Sequence, residues 1–327
     1  MSIYIDFQKR GKMKARKLIA IATIAVTGFL TLPANAAEPA SNATLNAIEK
    51  VAPQVFNNLE QAQNRGESRG DFTRSVGTAR LFDSAANEIS LDIDGITSET
   101  KVMKLGNELT IFNSVADTDF VPLTKVDGSV QTLAVLNSTS APEVLRFELS
   151  LPAGASIQQL ETGELMIQSN TGEFLGGIAP AWAKDAQGVA VDTWFEVKGS
   201  TLFQIVKHKA GNFSYPIVAD PWLGIDLYYQ PTISFLPKGY RINVTPTVWG
   251  GTFTGASTWF AHRDEVVTKL GTSAYRWTAT IQEQFYCHIA GWPASLPQYN
   301  MESWSRLVNW SISLALYQCN PDKGTWY

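Results

Sequence analysis

Short runs of alternating apolar and polar residues dominate the chain between residues 76 and 220. The clearest runs cover residues 89–93, 108–112, 144–149, 165–167 and 202–206. Turn-forming pairs and triplets separate them: Asp94-Gly95, Gly106-Asn107, Asp127-Gly128 and Asn170-Thr171-Gly172. Because successive side chains of a strand point to opposite faces, the alternation predicts short strands with one buried face. No helical segment of about 10–15 residues interrupts them, which predicts a mainly β fold with an antiparallel β-sandwich or barrel-like central domain.

The first 36 residues have the pattern of a signal peptide. Basic residues within 14–17 precede an apolar run over residues 18–32, and Ala34-Asn35-Ala36 forms a cleavage site of the A-x-A type. The run is shorter than the ~20 residues of a membrane span. We predict cleavage after Ala36 and no membrane span in the mature chain, with an uncleaved anchor as the alternative. Met13 is a candidate start, which makes residues 1–12 an upstream extension.

Removal of the signal peptide changes the charge of the protein. The complete sequence has 26 Lys+Arg and 30 Asp+Glu, which gives a formal charge of −4. Residues 1–36 contain six basic residues and one acidic residue, so the charge of the mature chain is −9. An acidic chain does not attract polyanions through its bulk charge. We therefore expect no nucleic-acid partner, and a secreted or cell-envelope location.

Residues 37–75 are predicted to form a helix and a linker. Apolar residues recur at helical spacing over residues 42–62, where Ser41 or Asn42 is a candidate N-cap and Pro53 is expected to kink or divide the helix. The helix packs on the rest of the protein or binds a partner. The polar linker contains Arg69-Gly70-Asp71, a three-residue match that we attribute to chance.

Residues 221–327 differ in composition from the β-rich region. They contain 8 of the 10 Trp, 8 of the 10 Tyr, both Cys and two of the three His. We predict a strand over residues 240–244, a helix over residues 258–270 that Thr258 caps and Gly271 ends, and another strand over residues 278–289. A small α+β domain fits these elements.

The two cysteines, Cys287 and Cys319, form an even pair in a chain predicted to be exported. A disulfide is therefore expected, and closing a loop of about 32 residues stabilises a protein by roughly 3–4 kcal/mol. A catalytic thiol is the alternative. So few Cys and His residues favour neither a metal site nor a metal cofactor.

Several sequence motifs resemble those of exported actinobacterial proteins. The runs at 190–195 and 215–222 resemble their β-rich region. The runs at 284–288, 299–304 and 319–321, with their Cys-His and Cys-Asn-Pro signatures, are similar to a secreted C-terminal domain of unknown function. The resemblance covers residues 180–327 and implies an exported protein with Cys287 paired to Cys319. It implies no activity, and Ser305 departs from the pattern, which has Arg before Pro there.

His288 is the strongest candidate for chemistry. With Glu302 or Glu283 it has the residue types of a general base and a carboxylate partner. Alternatively, His288 lines a polar binding groove, or it lies on an exposed sheet face with ordinary hydrogen bonds. The residues expected to share such a groove are Gln284, Tyr286, Trp304 and Arg306. By contrast, His262 is predicted to lie in the core and His208 on the surface.

Aromatic residues give a second indication of binding, because Trp and Tyr combine a flat apolar ring with a polar group. Many must fill the core of the C-terminal domain. Trp249, Trp292 and Trp304 have Gly, Pro or Ser neighbours, which predicts loops, so these three are binding candidates.

The glycine-rich turn at residues 250–255 lacks the Lys of a phosphate-binding loop. We therefore expect a secreted, non-enzymatic binding protein whose C-terminal domain recognises an envelope glycan or a protein, without a cofactor. The alternatives are a hydrolase that uses His288 with Glu302 or Glu283, and a secreted antagonist or toxin.

Overall fold

A computed structural model describes residues 39–59, 70–73, 77–82, 88–97, 99–105, 109–291 and 298–321. The predicted signal peptide, the Arg69 end of the Arg-Gly-Asp tripeptide and Trp292 lie outside the described residues. The described residues all belong to one compact unit, Glu38–Tyr327.

Strands outnumber helices in the described chain. The α-helices are α1 (Pro39–Val51), α2 (Trp259–Leu270), α3 (Ala279–Gly291) and α4 (Trp310–Tyr317), and the 3-10 helices are Pro53–Phe56, Ala256–Thr258 and Gly271–Arg276. The strands of the first half are β1 (Gly70–Thr73), β2 (Thr78–Phe82), β3 (Glu88–Ile93), β4 (Lys101–Leu105), β5 (Leu109–Val115), β6 (Thr118–Thr124), β7 (Val130–Leu136), β8 (Val144–Ser150) and β9 (Ser156–Gln159). The later strands are β10 (Leu165–Gln168), β11 (Phe174–Ile178), β12 (Trp182–Lys184), β13 (Thr193–Lys198), β14 (Thr201–Val206), β15 (Ile217–Asp220), β16 (Trp222–Gly224), β17 (Thr232–Leu236), β18 (Gly239–Val244) and β19 (Tyr299–Glu302).

These strands form three antiparallel sheets. The first sheet has six strands in the order β1-β2-β3-β8-β14-β13. The second has ten strands, with the order β4-β5-β6-β7-β16-β11-β10-β9, while β15 pairs with β7 and β12. A small third sheet has the order β17-β18-β19. Neither large sheet closes on itself among the described strands.

The two large sheets pack face to face as a β-sandwich. Apolar side chains from both sheets share one core, to which the six-stranded sheet contributes Leu91 and Phe147 and the ten-stranded sheet contributes Phe112 and Ile178. Alternating burial along β8 illustrates the origin of this core, since Leu145, Phe147 and Leu149 are buried between more exposed neighbours. The prediction of a mainly β, antiparallel sandwich is confirmed.

The outer face of the ten-stranded sheet is covered by two separate parts of the chain. The N-terminal segment, residues 39–59, packs Ile48 and Val55 against Leu133 and Val218. Farther along the same face, the C-terminal region packs residues such as Trp249 against Met166. We call the two parts the N-terminal cover and the C-terminal cover.

The predicted N-terminal helix is present, and Pro53 divides it. The regular helix α1 ends at Val51, and Pro53 opens the 3-10 helix Pro53–Phe56, because a proline has no N–H to continue the helical ladder. The helix begins at Pro39, so both expected cap residues, Ser41 and Asn42, lie inside it.

The strand expected over residues 278–289 is wrong, because this segment is helix α3. Ile281, Phe285 and Ile289 are spaced by four, which places them on one face of a helix as well as on one face of a strand. The preceding helix α2 and its end at Gly271, with φ 53°, agree with the prediction. Thr258 precedes that helix, but its hydroxyl donates to the carbonyls of Phe253 and Gly255 instead of capping.

The predicted disulfide is present between Cys287 in α3 and Cys319 just after α4, with 5.3 Å between their Cα atoms. It links the segment after α4 to helix α3, where a strand end was expected. The boundary proposed at residue 220 stays a prediction, although β16 at Trp222–Gly224 still belongs to the ten-stranded sheet. Within the described part of the chain, no helix has the length and apolar character needed to cross a membrane.

Candidate functional site

His288 lies in the packed interior of the C-terminal cover. Its Nε2 atom is 3.2 Å from Oδ1 of Asn320, and its ring stacks on Tyr299 with centroids 5.2 Å apart. Burial lowers the pKa of His288 to about 4 because it disfavours the charged imidazolium. The ring is therefore neutral at pH 7 and is held by Tyr299 and Asn320.

Gln284, one turn earlier on α3, is also buried, so the expected exposed polar strand face is not formed. Its Nε2 donates to the carbonyl of Glu302 at 2.9 Å, and its Oε1 accepts from the N–H of Glu302 at 2.8 Å. Gln284 therefore completes the backbone hydrogen bonding of β19.

The two candidate carboxylates have other partners. Glu302 accepts a hydrogen bond from the Ser305 hydroxyl at 3.4 Å, and Glu283 accepts from the N–H of Trp310 at 2.6 Å, at the start of α4. Neither carboxylate is among the hydrogen-bond partners of His288 in the described chain. A histidine–carboxylate pair is therefore not assembled here.

The other predicted groove residues, Tyr286, Arg306 and Trp304, pack in different places. Tyr286 stacks on Trp259 of α2 with centroids 5.4 Å apart, and the guanidinium of Arg306 lies 5.3 Å from the centroid of Tyr317. Trp304 is half-buried at the end of β19. None of these three residues lines either of the two cavities described below.

Trp249 lies in a turn, as its glycine neighbours suggest, but the expectation that it is available for binding is wrong. It is fully buried, it stacks on Phe253 at 4.8 Å, and its indole N–H donates to the carbonyl of Trp222 at 3.2 Å. Gly224 allows this, because a Cβ atom there would lie 2.2 Å from the Trp249 ring.

The predicted position is correct for one of the other two histidines and wrong for the second. His262 is buried in the core as predicted, with Nδ1 2.7 Å from the hydroxyl of Tyr228. His208 is also buried, 2.7 Å from the hydroxyl of Tyr215, so its predicted surface position is wrong.

One aromatic group does face solvent in the C-terminal cover. The guanidinium of Arg276 lies 4.9, 5.1 and 4.7 Å from the ring centroids of Phe235, Tyr240 and Tyr275. Phe235 is 70% exposed and Tyr275 is 73% exposed. We call these four residues the Arg276 cluster, a cation–π group with two open rings.

A cavity of about 780 Å³ lies between the two covers, on the outer face of the ten-stranded sheet. One wall comes from residues 54–58 of the N-terminal cover, and the opposite wall comes from residues 245–252 of the C-terminal cover. The sheet between them contributes the floor, which includes Trp182 and Trp222. We call this the gap cavity. A smaller cavity of about 360 Å³ lies beside α2.

The polar centre of the gap cavity is a pair of buried side chains from neighbouring strands. Gln131 of β7 donates from Nε2 to Oδ2 of Asp220 in β15. The remaining oxygen of Gln131, Oε1, is buried and has no hydrogen-bond partner among the described residues. Burial raises the pKa of Asp220 to about 7 and exceeds the opposing effect of the Gln131 hydrogen bond.

Lys125 brings a cation to the same floor. It is 1% exposed, its Nζ donates to the carbonyl of Val55, and that Nζ lies 5.6 Å from the ring centroid of Trp222. Desolvation lowers the pKa of Lys125 to about 8, against the attraction of Asp127 and Asp220. Lys125 therefore attaches the N-terminal cover to the sheet at the edge of the cavity.

Sequence reasoning missed these floor residues, although a signal was present. Along β7, Val130, Ala134 and Leu136 belong to the sandwich core, while Leu133 and Val135 face the N-terminal cover. Gln131 continues the second set and interrupts its apolar character. A single polar residue among apolar residues on one face of a strand indicates that apolar side chains do not pack on that face at this position.

The fold and its cavity define a class: a mainly β, disulfide-containing protein with a ligand-sized cavity between two covers of one sheet. No protein family, curated protein or solved structure matches this chain. The resemblance of residues 180–327 to exported actinobacterial proteins thus rests on its motifs alone.

Proposed function

We propose that this chain is an exported binding protein that holds a small ligand in the gap cavity. The observation that carries this proposal is Oε1 of Gln131, a buried acceptor with no described protein partner on the cavity floor. An unpaired buried acceptor costs about 1–3 kcal/mol. Because Oε1 has almost no accessible surface, a ligand that donates to it relieves this cost only if the Gln131 amide turns toward the cavity. Cavities of this size, mainly apolar with a few converging polar groups, are typical ligand sites.

The lining supports binding rather than hydrolysis. Among the described residues, the cavity wall contains no serine, cysteine or histidine, and its charged members are Lys125 and Asp220. Lys125 donates to the carbonyl of Val55, and with a pKa of about 8 it is mostly protonated at pH 7, so it is not available there as a general base. The signal-like sequence and the disulfide support an exported location.

The test compares the purified protein with a variant of the floor. Gln131→Met preserves the length of the side chain and removes its acceptor. We expect the wild-type protein to show ligand-dependent increases in melting temperature and changes in Trp fluorescence across a broad small-molecule panel, and Gln131→Met to lose them. Asn113→Leu is the matched control, because Asn113 is also buried with an unpartnered oxygen but lies outside the cavity lining. A panel with no effect on the wild-type protein contradicts the proposal.

The Arg276 cluster supports a second candidate function, the recognition of an envelope glycan or a protein by the C-terminal cover. Its two exposed rings beside a cation are the residue types that dominate protein interfaces. Tyr275→Ala should abolish binding to an envelope extract at this surface and preserve the gap cavity. The antagonist or toxin alternative stays a prediction without a structural feature of its own.

A further inference from the structure

We propose that the ligand of the gap cavity is a short, uncharged glycan, an inference that rests on the binding function proposed above. Three features of the gap cavity support this assignment: the charges of the floor, the hydrogen-bonding groups of the walls and the aromatic rings between them.

The floor favours a neutral ligand that donates hydrogen bonds. The Asp220 carboxyl group already accepts from Gln131 Nε2, whereas Gln131 Oε1 has no described partner, so an apolar ligand would leave Oε1 without a donor. Lys125 and Asp220 are the two charged groups of the described lining, and they have opposite signs. Binding of an anionic ligand is not favoured, because Lys125 already donates a hydrogen bond to Val55. Binding of a cationic ligand is disfavoured by repulsion from the positive charge of Lys125.

The walls carry groups that both donate and accept. The N-terminal cover contributes the exposed amides of Gln54, Asn57 and Asn58. The C-terminal cover contributes the hydroxyl of Thr245 and, as an acceptor, that of Thr252, which donates to the carbonyl of Trp249. Sugar hydroxyls also donate and accept, and therefore match amides and hydroxyls on both sides of the cavity. A ligand with a single polar end would leave one wall unused.

Two tryptophans supply the apolar surface that a sugar ring requires. Trp182 and Trp222 are half-buried and line the floor. Lys184 and Lys125 each lie over a face of one ring, at 6.0 and 5.6 Å from its centroid, so a sugar contacts the remaining face or edge. Aromatic surface beside polar groups binds the C–H face of a sugar and its hydroxyls together. A volume of about 780 Å³ suits a short oligosaccharide.

Isothermal titration of the purified protein with six probes tests this inference. Three probes are neutral: chitotriose, cellotriose and maltotriose. Trigalacturonate is anionic, the glucosamine trimer is cationic, and cyclohexanol is mainly apolar. We expect at least one neutral trisaccharide to bind, Gln131→Met to weaken it roughly tenfold, as for one lost hydrogen bond, and Asn113→Leu to bind as the wild type does. If Gln131→Met does not fold, Asp220→Asn replaces it.

The outcomes separate the two proposals. Binding of a charged or apolar probe that depends on Gln131, without binding of the neutral trisaccharides, overturns the glycan assignment and preserves a ligand site in the cavity. Neutral binding that is unchanged in Gln131→Met but lost in Tyr275→Ala places glycan recognition at the Arg276 cluster and overturns this inference. No Gln131-dependent binding by these probes or by the broad panel overturns both proposals.

Discussion

Gln131 donates a hydrogen bond to Asp220 across 89 residues of sequence, on the outer face of the ten-stranded sheet at the floor of the gap cavity. The pair joins β7 to β15 in the middle of the ten-stranded sheet. Both residues are 2% exposed, and one acceptor of the pair has no described protein partner. The two side chains are thus as buried as core residues, but one of their acceptors has no described partner, as expected in a binding site.

The protonation of Asp220 should make the stability of the protein depend on pH. Burial raises its pKa from 3.8 to about 7, so between about pH 4 and pH 7 the folded chain holds a proton that the unfolded chain releases. The free energy of unfolding therefore decreases as pH rises through this window, by up to about 4 kcal/mol. Burial lowers the pKa of His262 and His288 to about 4, which acts in the opposite direction, so the effect is measured as a difference between two proteins. From pH 5 to pH 8, the free energy of unfolding of the wild type minus that of Asp220→Asn, measured with urea, should fall by about 3 kcal/mol. Glu161→Gln, at an exposed position, is the control, and equal slopes for wild type and Asp220→Asn would contradict the assignment.

Lys125 should produce the opposite dependence at alkaline pH. Its pKa is lowered from 10.5 to about 8, so between these values the unfolded chain keeps a proton that the folded chain has lost. The cost of the buried ammonium is present below about pH 8 and disappears as pH rises, which increases the free energy of unfolding by up to about 3 kcal/mol. We therefore measure the free energy of unfolding of the wild type and of Lys125→Met with urea from pH 7.5 to pH 10. The wild-type value minus the variant value should increase by this amount over that range. Lys198→Met, at a side chain 74% exposed, should leave the pH profile of the wild type unchanged.

Gln284 should matter for stability rather than for chemistry. Gln284→Leu removes the two hydrogen bonds with the backbone of Glu302 and the one to the carbonyl of Thr280 at a buried position, which we expect to cost about 1–3 kcal/mol. Gln282→Leu, on a more exposed part of the same helix, should change stability by less than about 1 kcal/mol. Thermal unfolding of both variants measures the difference. If Gln284→Leu unfolds at the same temperature as the wild type, the hydrogen bonds of Gln284 do not stabilise the protein, and the prediction is wrong.

The sandwich was predictable because its information is local. Each strand such as β8 carries its own alternation, and the alternation identifies both the strand and its buried face. Helix α3 was mispredicted because Ile281, Phe285 and Ile289 satisfy both periods, and their packing against the rest of the C-terminal cover decides in favour of the helix. The gap cavity was not predictable, because Gln131 and Asp220 are brought together by strand order, which one sequence does not encode locally.

Aromatic content misled the site prediction for a related physical reason. A region with few aliphatic residues fills its core with aromatic ones, so Trp249 is buried although glycine follows it. Exposure is decided by tertiary contacts, and Phe235 and Tyr275 carry no local signal that distinguishes them from Trp249. The run at residues 215–222 did contain Asp220 and Trp222, but its sequence gave no indication of a cavity.

The disulfide should hold α4 against α3, and its removal tests how far the C-terminal cover depends on it. Cys287 and Cys319 enclose a loop with a sequence separation of 32, for which the chain-entropy relation gives roughly 3–4 kcal/mol. A Cys287→Ser, Cys319→Ser double variant should lose about this much in urea unfolding, and a reductant should change the wild-type protein but not the variant. Because the cavity lining includes neither α3 nor α4, ligand binding in the gap cavity should survive below the unfolding transition. Loss of binding in the still-folded variant would show that the C-terminal cover transmits the state of its disulfide to the cavity wall at residues 245–252.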